Sequence, residues 1–391
     1  MSPEPCLLFF VCLIKMQGMS DTTKQLVEGL LSGAGVSVNG PEPWSIQVHN
    51  DRFYRRVLSQ GELGFGEAYM DGWWDCEAVD ELVNRLLRAD IRSRLKAHPK
   101  LLFHALSAAL VNQQGTRRRA FQVGEQHYDV GNDLYSRMLD KRMVYTCGYW
   151  KQAKNLDEAQ EHKLDLVCRK IGLKAGDHVL DIGCGWGSFA QFAAERYGAR
   201  VTGVTVSKEQ LALGRKRCEG LPVELFLKDY REITGAFDHV VSLGMFEHVG
   251  YKNYRTYMRV VRRVLKNDGL FLLHTIGGLK SAHSVGLWIN KYIFPNSMLP
   301  SARQITKATE GLFVLEDWHN FGPYYDQTLM AWYENVERAW PELNTRYGER
   351  FQRMWRYYLL ACAGTFRSRT NQLWQIVLSK GGRPRMYERV S

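Results

Sequence analysis

No CxxC pair occurs among the eight cysteines (Cys6, Cys12, Cys76, Cys147, Cys168, Cys184, Cys218, Cys362), and no Cys/His cluster has metal-ligand spacing. This scatter excludes a disulfide framework and structural zinc, and fits a reduced, cytosolic protein. No apolar run reaches the roughly 20 residues needed to cross a bilayer, so membrane contact is expected to be peripheral. The N-terminal run from Cys6 to Ile14 follows Glu4, lacks a basic flank and has no clear small-residue cleavage site, which makes it a poor signal peptide. Met19 follows closely, so residues 1–20 read as an N-terminal extension, either an upstream start or a disordered tail. Internal repeats and low-complexity tracts are also lacking, which argues for folding throughout.

The 391 residues, 45% hydrophobic and 12% aromatic, suffice for two domains with cores of their own. A net charge of +11 favours an anionic partner, either lipid or nucleic acid. Between Arg85 and Arg119 nine basic residues face one acid, Asp90, and within that segment Leu101 to Val111 reads as a short apolar helix. A solvated basic surface accounts for the charges alone; basic flanks around an apolar helix suit an anionic lipid surface.

Residues 21–122 read as a small mixed α+β domain: a helix from Thr23 to Leu31, a strand near Trp44 to Val48, then short pieces broken by glycine turns from Gly61 to Trp74. No catalytic cluster is evident there, so lipid presentation or membrane docking is its expected role. Residues 123–391 carry the alternation of a parallel α/β sheet. Strands are expected at His178–Ile182, Arg200–Thr205, Val223–Leu227, His239–Leu243 and Leu270–His274, with helices at Ser188–Tyr197, Lys208–Cys218 and Tyr254–Leu265 and a turn at Asn267–Gly269. Beyond His274 come an insertion around Trp288–Pro295, a strand from Phe313 to Trp318, two aromatic-rich helices and a last strand, Leu373–Leu378.

The first strand runs into Asp181-Ile-Gly183-Cys-Gly185-Trp-Gly187 and then a helix, a turn that lets backbone approach a ligand closely. Its spacing is GxGxG rather than the GxGxxG of a dinucleotide binder, and Asp181 beside it disfavours a phosphate. S-adenosylmethionine is therefore the expected ligand, with NAD the rival. Many class I methyltransferases end the second strand with an acid for the ribose; here Thr205, Ser207 and Gln210 stand in that region. Asp229, after the third strand, is placed to accept from an adenine amino group, or else to cap a helix.

Five further segments make the resemblance specific: Gln126–Tyr135 (QHYDVGNDLY), Val144–Trp150 (VYTCGYW), Gly244–Gly250 (GMFEHVG), Leu273–Gly277 (LHTIG) and Tyr357–Gly364 (YYLLACAG). Together with the glycine turn, Glu316–Gly322 and Tyr325-Asp326, they resemble the bacterial cyclopropane-fatty-acyl-phospholipid synthases over almost everything after residue 20. The resemblance implies a class I S-adenosylmethionine-dependent methyltransferase domain of Rossmann-like α/β fold, a cytoplasmic enzyme peripheral on the inner face of the membrane, and a homodimer. It implies methylene transfer to the cis double bond of an unsaturated acyl chain in a phospholipid. It further implies a bound bicarbonate as base, held around Cys147, Glu247, His274, Ile276 and Tyr325, an active-site cysteine at Cys362, and cofactor closure by Tyr145 and Thr146.

The chemistry such a reaction needs is a dry site, aromatic faces near a developing cation, and a proton acceptor. Trp150, Trp288, Tyr292, Phe294, Trp318 and Tyr325 are candidates for the aromatic wall, and each also serves as ordinary core. Glu247 and His274 follow strand ends, where α/β sheets bind ligands, as a catalytic pair or a buried ion pair. Cys362 sits in an apolar helix, the setting of a buried inert thiol rather than a thiolate. Two rivals stand: a same-fold methyltransferase acting on a small amine or on an acyl chain without ring closure, and a basic nucleic-acid-binding protein. The second leaves Glu247, His274 and the glycine turn unexplained, and no nucleic-acid motif is found.

Overall fold

The computed structural model describes residues 24–90, 131–381 and 386–391. The basic apolar stretch at Leu101–Val111 and the segment Gln126–Val130 lie outside them. The catalytic part centres on a seven-stranded sheet of order β5-β4-β3-β6-β7-β9-β8. Its strands are β3 (His178–Ile182), β4 (Arg200–Thr205), β5 (Val223–Leu227), β6 (Phe237–Leu243), β7 (Leu265–Gly278), β8 (Val314–Asn320) and β9 (Asn371–Ser379). The first five pair in parallel, while β9 runs antiparallel to both β7 and β8. The central parallel strands β3 and β6 are buried on both faces over most of their length, which their runs Val179-Leu180 and Val240-Val241 reflect, while the edge strand β5 buries only Leu225.

Alternating side chains feed two cores. Leu180, Val240, Phe271, Leu273 and Ile376 pack under helix α8 (Tyr254–Val264). Val179, Val241, Leu270, Leu272 and Val377 face the other way, under α5 (Leu156–Lys170) and α6 (Ser188–Tyr197). Local chemistry sets the helix ends: Asn155 caps α5 by accepting from Glu158 N, and Ser207 caps α7 (Lys208–Arg217) by accepting from Gln210 N. Helix α6 stops at Gly198, whose φ of 66° is a left-handed termination that suits glycine.

Two expectations fail. The expected glycine-broken stretch lies mainly in a helix, α2 (Arg52–Met70), kinked only at Gly61, where φ is 56°. Its other glycines serve close packing: a Cβ on Gly66 would lie 2.5 Å from Trp288 Cδ1. The turn expected at Asn267–Gly269 is part of β7, which follows α8 directly; Gly269 fits there because a Cβ would lie 2.3 Å from Asp238 O.

The N-terminal elements are α1 (24–32), a two-stranded ribbon of β1 (Gln47–Val48) and β2 (Trp74–Asp75), α2, and α3 (Val79–Arg88). They form a third core with α4 (Asn132–Met138) and, beyond α10 (Ala302–Thr309), the long C-terminal helices α11 (Pro323–Leu343) and α12 (Glu349–Arg367). Glu67 of α2 accepts from Arg56, Lys291 and Tyr292, which ties α2 to α9 (Leu287–Tyr292) and holds the carboxyl at about 2 against its desolvation. Trp288 of α9 is buried beside it and donates to Met70 Sδ.

Candidate active site

A cavity of about 170 Å³ opens at the carboxyl ends of β3, β4 and β6. Asp181, Gly183 and Gly185 line one wall, Thr205 and Gln210 a second, Asp229 a third, and Tyr145 and Thr146 close over it. Gly187 is absent from the lining. It starts α6 with φ 75°, and a Cβ there would meet Cys218 Sγ at 3.0 Å, so its task is packing. Gly183 (φ 86°) admits Met245, whose Cβ would lie 2.6 Å from an added Cβ. Gly185 (φ 55°) differs, because an added Cβ would meet only Gln210 Nε2, at 4.0 Å. A side chain there would project into open space, the arrangement that close backbone approach by a ligand requires.

Thr205 donates to Gln210 Oε1 at 3.0 Å, so the two act as one polar edge. Asp229 caps a short 3-10 turn by accepting from Arg231 N, and also pairs with the Arg231 guanidinium at 2.7 Å. The capping alternative is thus realised, without removing Asp229 from the cavity wall. One buried cation escaped the sequence reading: Lys163 of α5 also lines the cavity and donates to Thr146 Oγ1 at 2.8 Å. A lysine within a helical pattern has no spacing signature that would single it out. Desolvation drops its ammonium to about 8, and raises the Asp181 carboxyl to about 7, with Lys163 opposing that rise.

None of Cys147, Glu247, His274, Ile276 or Tyr325 lines this cavity, but its lining residues Thr146 and Gly244 adjoin two of them, Cys147 in the chain and His274 through a hydrogen bond. A Cβ on Gly244 would lie 2.5 Å from Thr146 Cγ2, and Gly244 N–H donates to His274 O at 2.9 Å. Glu247 is buried and accepts from Ile276 N at 2.7 Å through Oε1; Oε2 has no partner of good geometry, the nearby Thr275 hydroxyl donating instead to Ile276 O, and burial raises the carboxyl to about 7 against the pull of the Ile276 N–H and Thr275. His274 is 1% exposed, with Nδ1 3.3 Å from Gln375 Nε2 and Nε2 unpartnered, and burial holds it well below the usual imidazole range. Cys147 is fully buried and its thiol is pushed up by desolvation. Thr328 holds the Cys147 loop by accepting from Gly148 N and Trp150 Nε1.

Aromatic rings gather around Tyr145 of the cavity lining. Tyr145 bonds Tyr358 hydroxyl to hydroxyl at 2.8 Å and lies 5.2 Å from the Trp332 ring, while Phe294 lies 5.9 Å from Tyr358. Tyr325 packs on Phe366 at 4.5 Å. Trp288 and Tyr292 belong instead to the α2–α9 contact, and Trp318 packs on Trp374 at 5.2 Å. Cys362, on α12, is raised to about 12 by desolvation, so it stays a thiol at neutral pH.

The strand order with a glycine turn over a cavity at the carboxyl end of β3 defines a class I S-adenosylmethionine-dependent methyltransferase. The model of the mycolic acid cyclopropane synthetase family matches residues 115–376. The cyclopropane-fatty-acyl-phospholipid synthase of Escherichia coli is 53% identical over 370 residues, covering 95% of this chain and 97% of its own. A probable fatty acid methyltransferase of Pseudomonas putida is 41% identical over 65% of this chain and 68% of its own. Among solved structures, the mycolic acid cyclopropane synthase CmaA1, complexed with SAH and CTAB, aligns with a TM-score of 0.62 at 31% identity, over 66% of this chain and 98% of that one. The chain belongs to the mycolic acid cyclopropane synthetase family.

Proposed function

We propose that the chain transfers a methylene group from S-adenosylmethionine to the cis double bond of an unsaturated acyl chain in a membrane phospholipid, closing a cyclopropane ring. The observation that carries this reading is that Glu247, just beyond the end of β6, and His274, on the paired strand β7, are both buried next to the cavity residue Gly244, and leave Oε2 and Nε2 without partners.

When bound, S-adenosylmethionine supplies an electrophilic methyl carbon. Asp181, Gly183, Gly185, Thr205, Gln210 and Asp229 would hold it, under Tyr145 and Thr146. An isolated alkene is a weak nucleophile, and attack on a methyl carbon leaves positive charge on the chain. The rings of Tyr145, Phe294, Trp332 and Tyr325 then do two things: they exclude water and favour the cation electrostatically. Closing the ring requires removal of one proton from the transferred carbon. Bicarbonate, held by Cys147, Glu247, His274, Ile276 and Tyr325, would supply the acceptor. The orphaned Glu247 and His274 atoms fit a small hydrogen-bonding anion, and Cys147 is a buried neutral thiol. Cys362 is then a packing residue rather than a nucleophile.

The N-terminal unit, residues 21–122, acts in lipid presentation; its described residues pack on α11 and α12, whose Trp332 and Tyr358 stand against Tyr145 of the donor cavity. No helix among the described residues is long and apolar enough to cross a membrane. The resemblance to the phospholipid synthases supports a homodimer that works on the cytoplasmic face of the membrane. A second reading, methylation of an acyl chain without ring closure, draws on the fatty acid methyltransferase relative. Purified protein given methyl-labelled S-adenosylmethionine and vesicles of monounsaturated phospholipid should label the lipid, and lose rate when bicarbonate is stripped. Label on added amines and none on lipid would overturn the proposal.

A further inference from the structure

His274 on β7 and Gln375 on β9 are direct cross-strand partners, as are Gln375 and His319 on β8. Directly opposed residues project from the same sheet face, so the three form one row on the side covered by α5. Gln375 is 0% exposed, and its Nε2 is 3.3 Å from His274 Nδ1. Buried and close to the charges of Lys163 and Lys170, the His274 ring is neutral and carries one N–H. With Gln375 Nε2 turned to it, Nδ1 is the acceptor and the ring proton belongs on Nε2; the reversed amide would present Oε1, which has no other partner, and put the proton on Nδ1. His319 has the same polarity, since its Nδ1 lies 3.0 Å from the ammonium of Lys170, which also only donates. His274 Nε2 is then a buried donor lacking a partner, a state that a bound acceptor relieves.

We infer that Gln375 is a positioning residue: its amide fixes His274 in the Nε2–H tautomer and aims that N–H at the anion. The inference rests on the anion site proposed above for its consequence, but not for the tautomer itself. Gln375 was missed in the sequence because one polar residue in a buried strand reads as a tolerated exception.

The test uses the full chain with 15N-labelled histidine, His274 being assigned from the signal lost in His274→Asn. Wild type should show the Nε2–H tautomer. In Gln375→Glu the carboxylate accepts from Nδ1–H, so the proton should move to Nδ1. kcat should then fall by about 10–100-fold and the half-saturating bicarbonate concentration should rise, with the Kd for S-adenosylmethionine unchanged. If Gln375→Glu does not fold, the similarly sized Gln375→Met carries the kinetic measurements. An Nδ1–H tautomer in wild type would overturn the proposal, as would a relocated proton with kcat and bicarbonate response intact. If wild-type turnover ignores bicarbonate, the anion reading falls, while a tautomer that shifts in Gln375→Glu still upholds the role of Gln375.

Discussion

Alanine at Gly183 and alanine at Gly185 should fail in opposite ways, although two residues and one methyl group are all that separate them. Both sites have positive φ, 86° and 55°, which costs a residue bearing a Cβ about 1–2 kcal/mol. At Gly183 the new methyl would also sit 2.6 Å from Met245 Cβ and 2.7 Å from its Cγ, an overpacking worth a further 1–3 kcal/mol or so. Gly183→Ala should therefore lose roughly 2–5 kcal/mol of folding stability in urea titrations. Gly185→Ala meets only Gln210 Nε2 at 4.0 Å, so it should lose little beyond the strain. Its methyl, however, occupies the surface against which the donor must lie. Calorimetric titration with S-adenosylmethionine should show at least a tenfold weaker Kd for Gly185→Ala, about 1.4 kcal/mol. Unchanged donor affinity in Gly185→Ala, or full stability in Gly183→Ala, would refute this account of the turn.

Glu247 has a carboxyl raised to about 7, so its folded form holds a proton that the unfolded chain gives up near its ordinary value of 4.5. The stability tied to that proton is present below 4.5 and lost as pH rises through about 7, so wild type should lose ground to Glu247→Gln between pH 5 and pH 8 in urea midpoints. A constant difference would count against a buried neutral carboxyl. Cys362→Ala should keep most of its turnover, because the thiol, at about 12, supplies no thiolate at neutral pH; loss of turnover in a folded variant would restore its candidacy as a nucleophile. Gly66→Val should destabilise the α2–α9 contact by roughly 1–3 kcal/mol, since its Cβ would run into Trp288. An unshifted melting curve would contradict that packing.

The sequence was most legible where burial is continuous and turns are sharp. Strands β3, β4 and β5 begin and end where the β-branched and apolar residues between their flanking turns place them, and Gly187 and Gly198 bound α6. Legibility failed at α2, where glycines that admit neighbouring groups look like glycines that make turns. At the site, the motifs named the residues, but their separation into a donor cavity and an adjoining polar region depends on Thr146 lying over Gly244, a contact across about a hundred residues of chain. Lys163 and Gln375 were invisible for a related reason: each acts through one tertiary contact and belongs to no local pattern.

The most direct measurement of the central claim is the structure of the product. The chain should be expressed in cells whose phospholipids are rich in monounsaturated acyl chains, and those chains examined by mass spectrometry and proton NMR. The account predicts acyl chains heavier by one CH2, with cyclopropane ring protons and no alkene protons, and no such product from Glu247→Ala that still binds S-adenosylmethionine. The same added mass with the alkene retained, or unchanged lipids beside a folded, donor-binding protein, would contradict it.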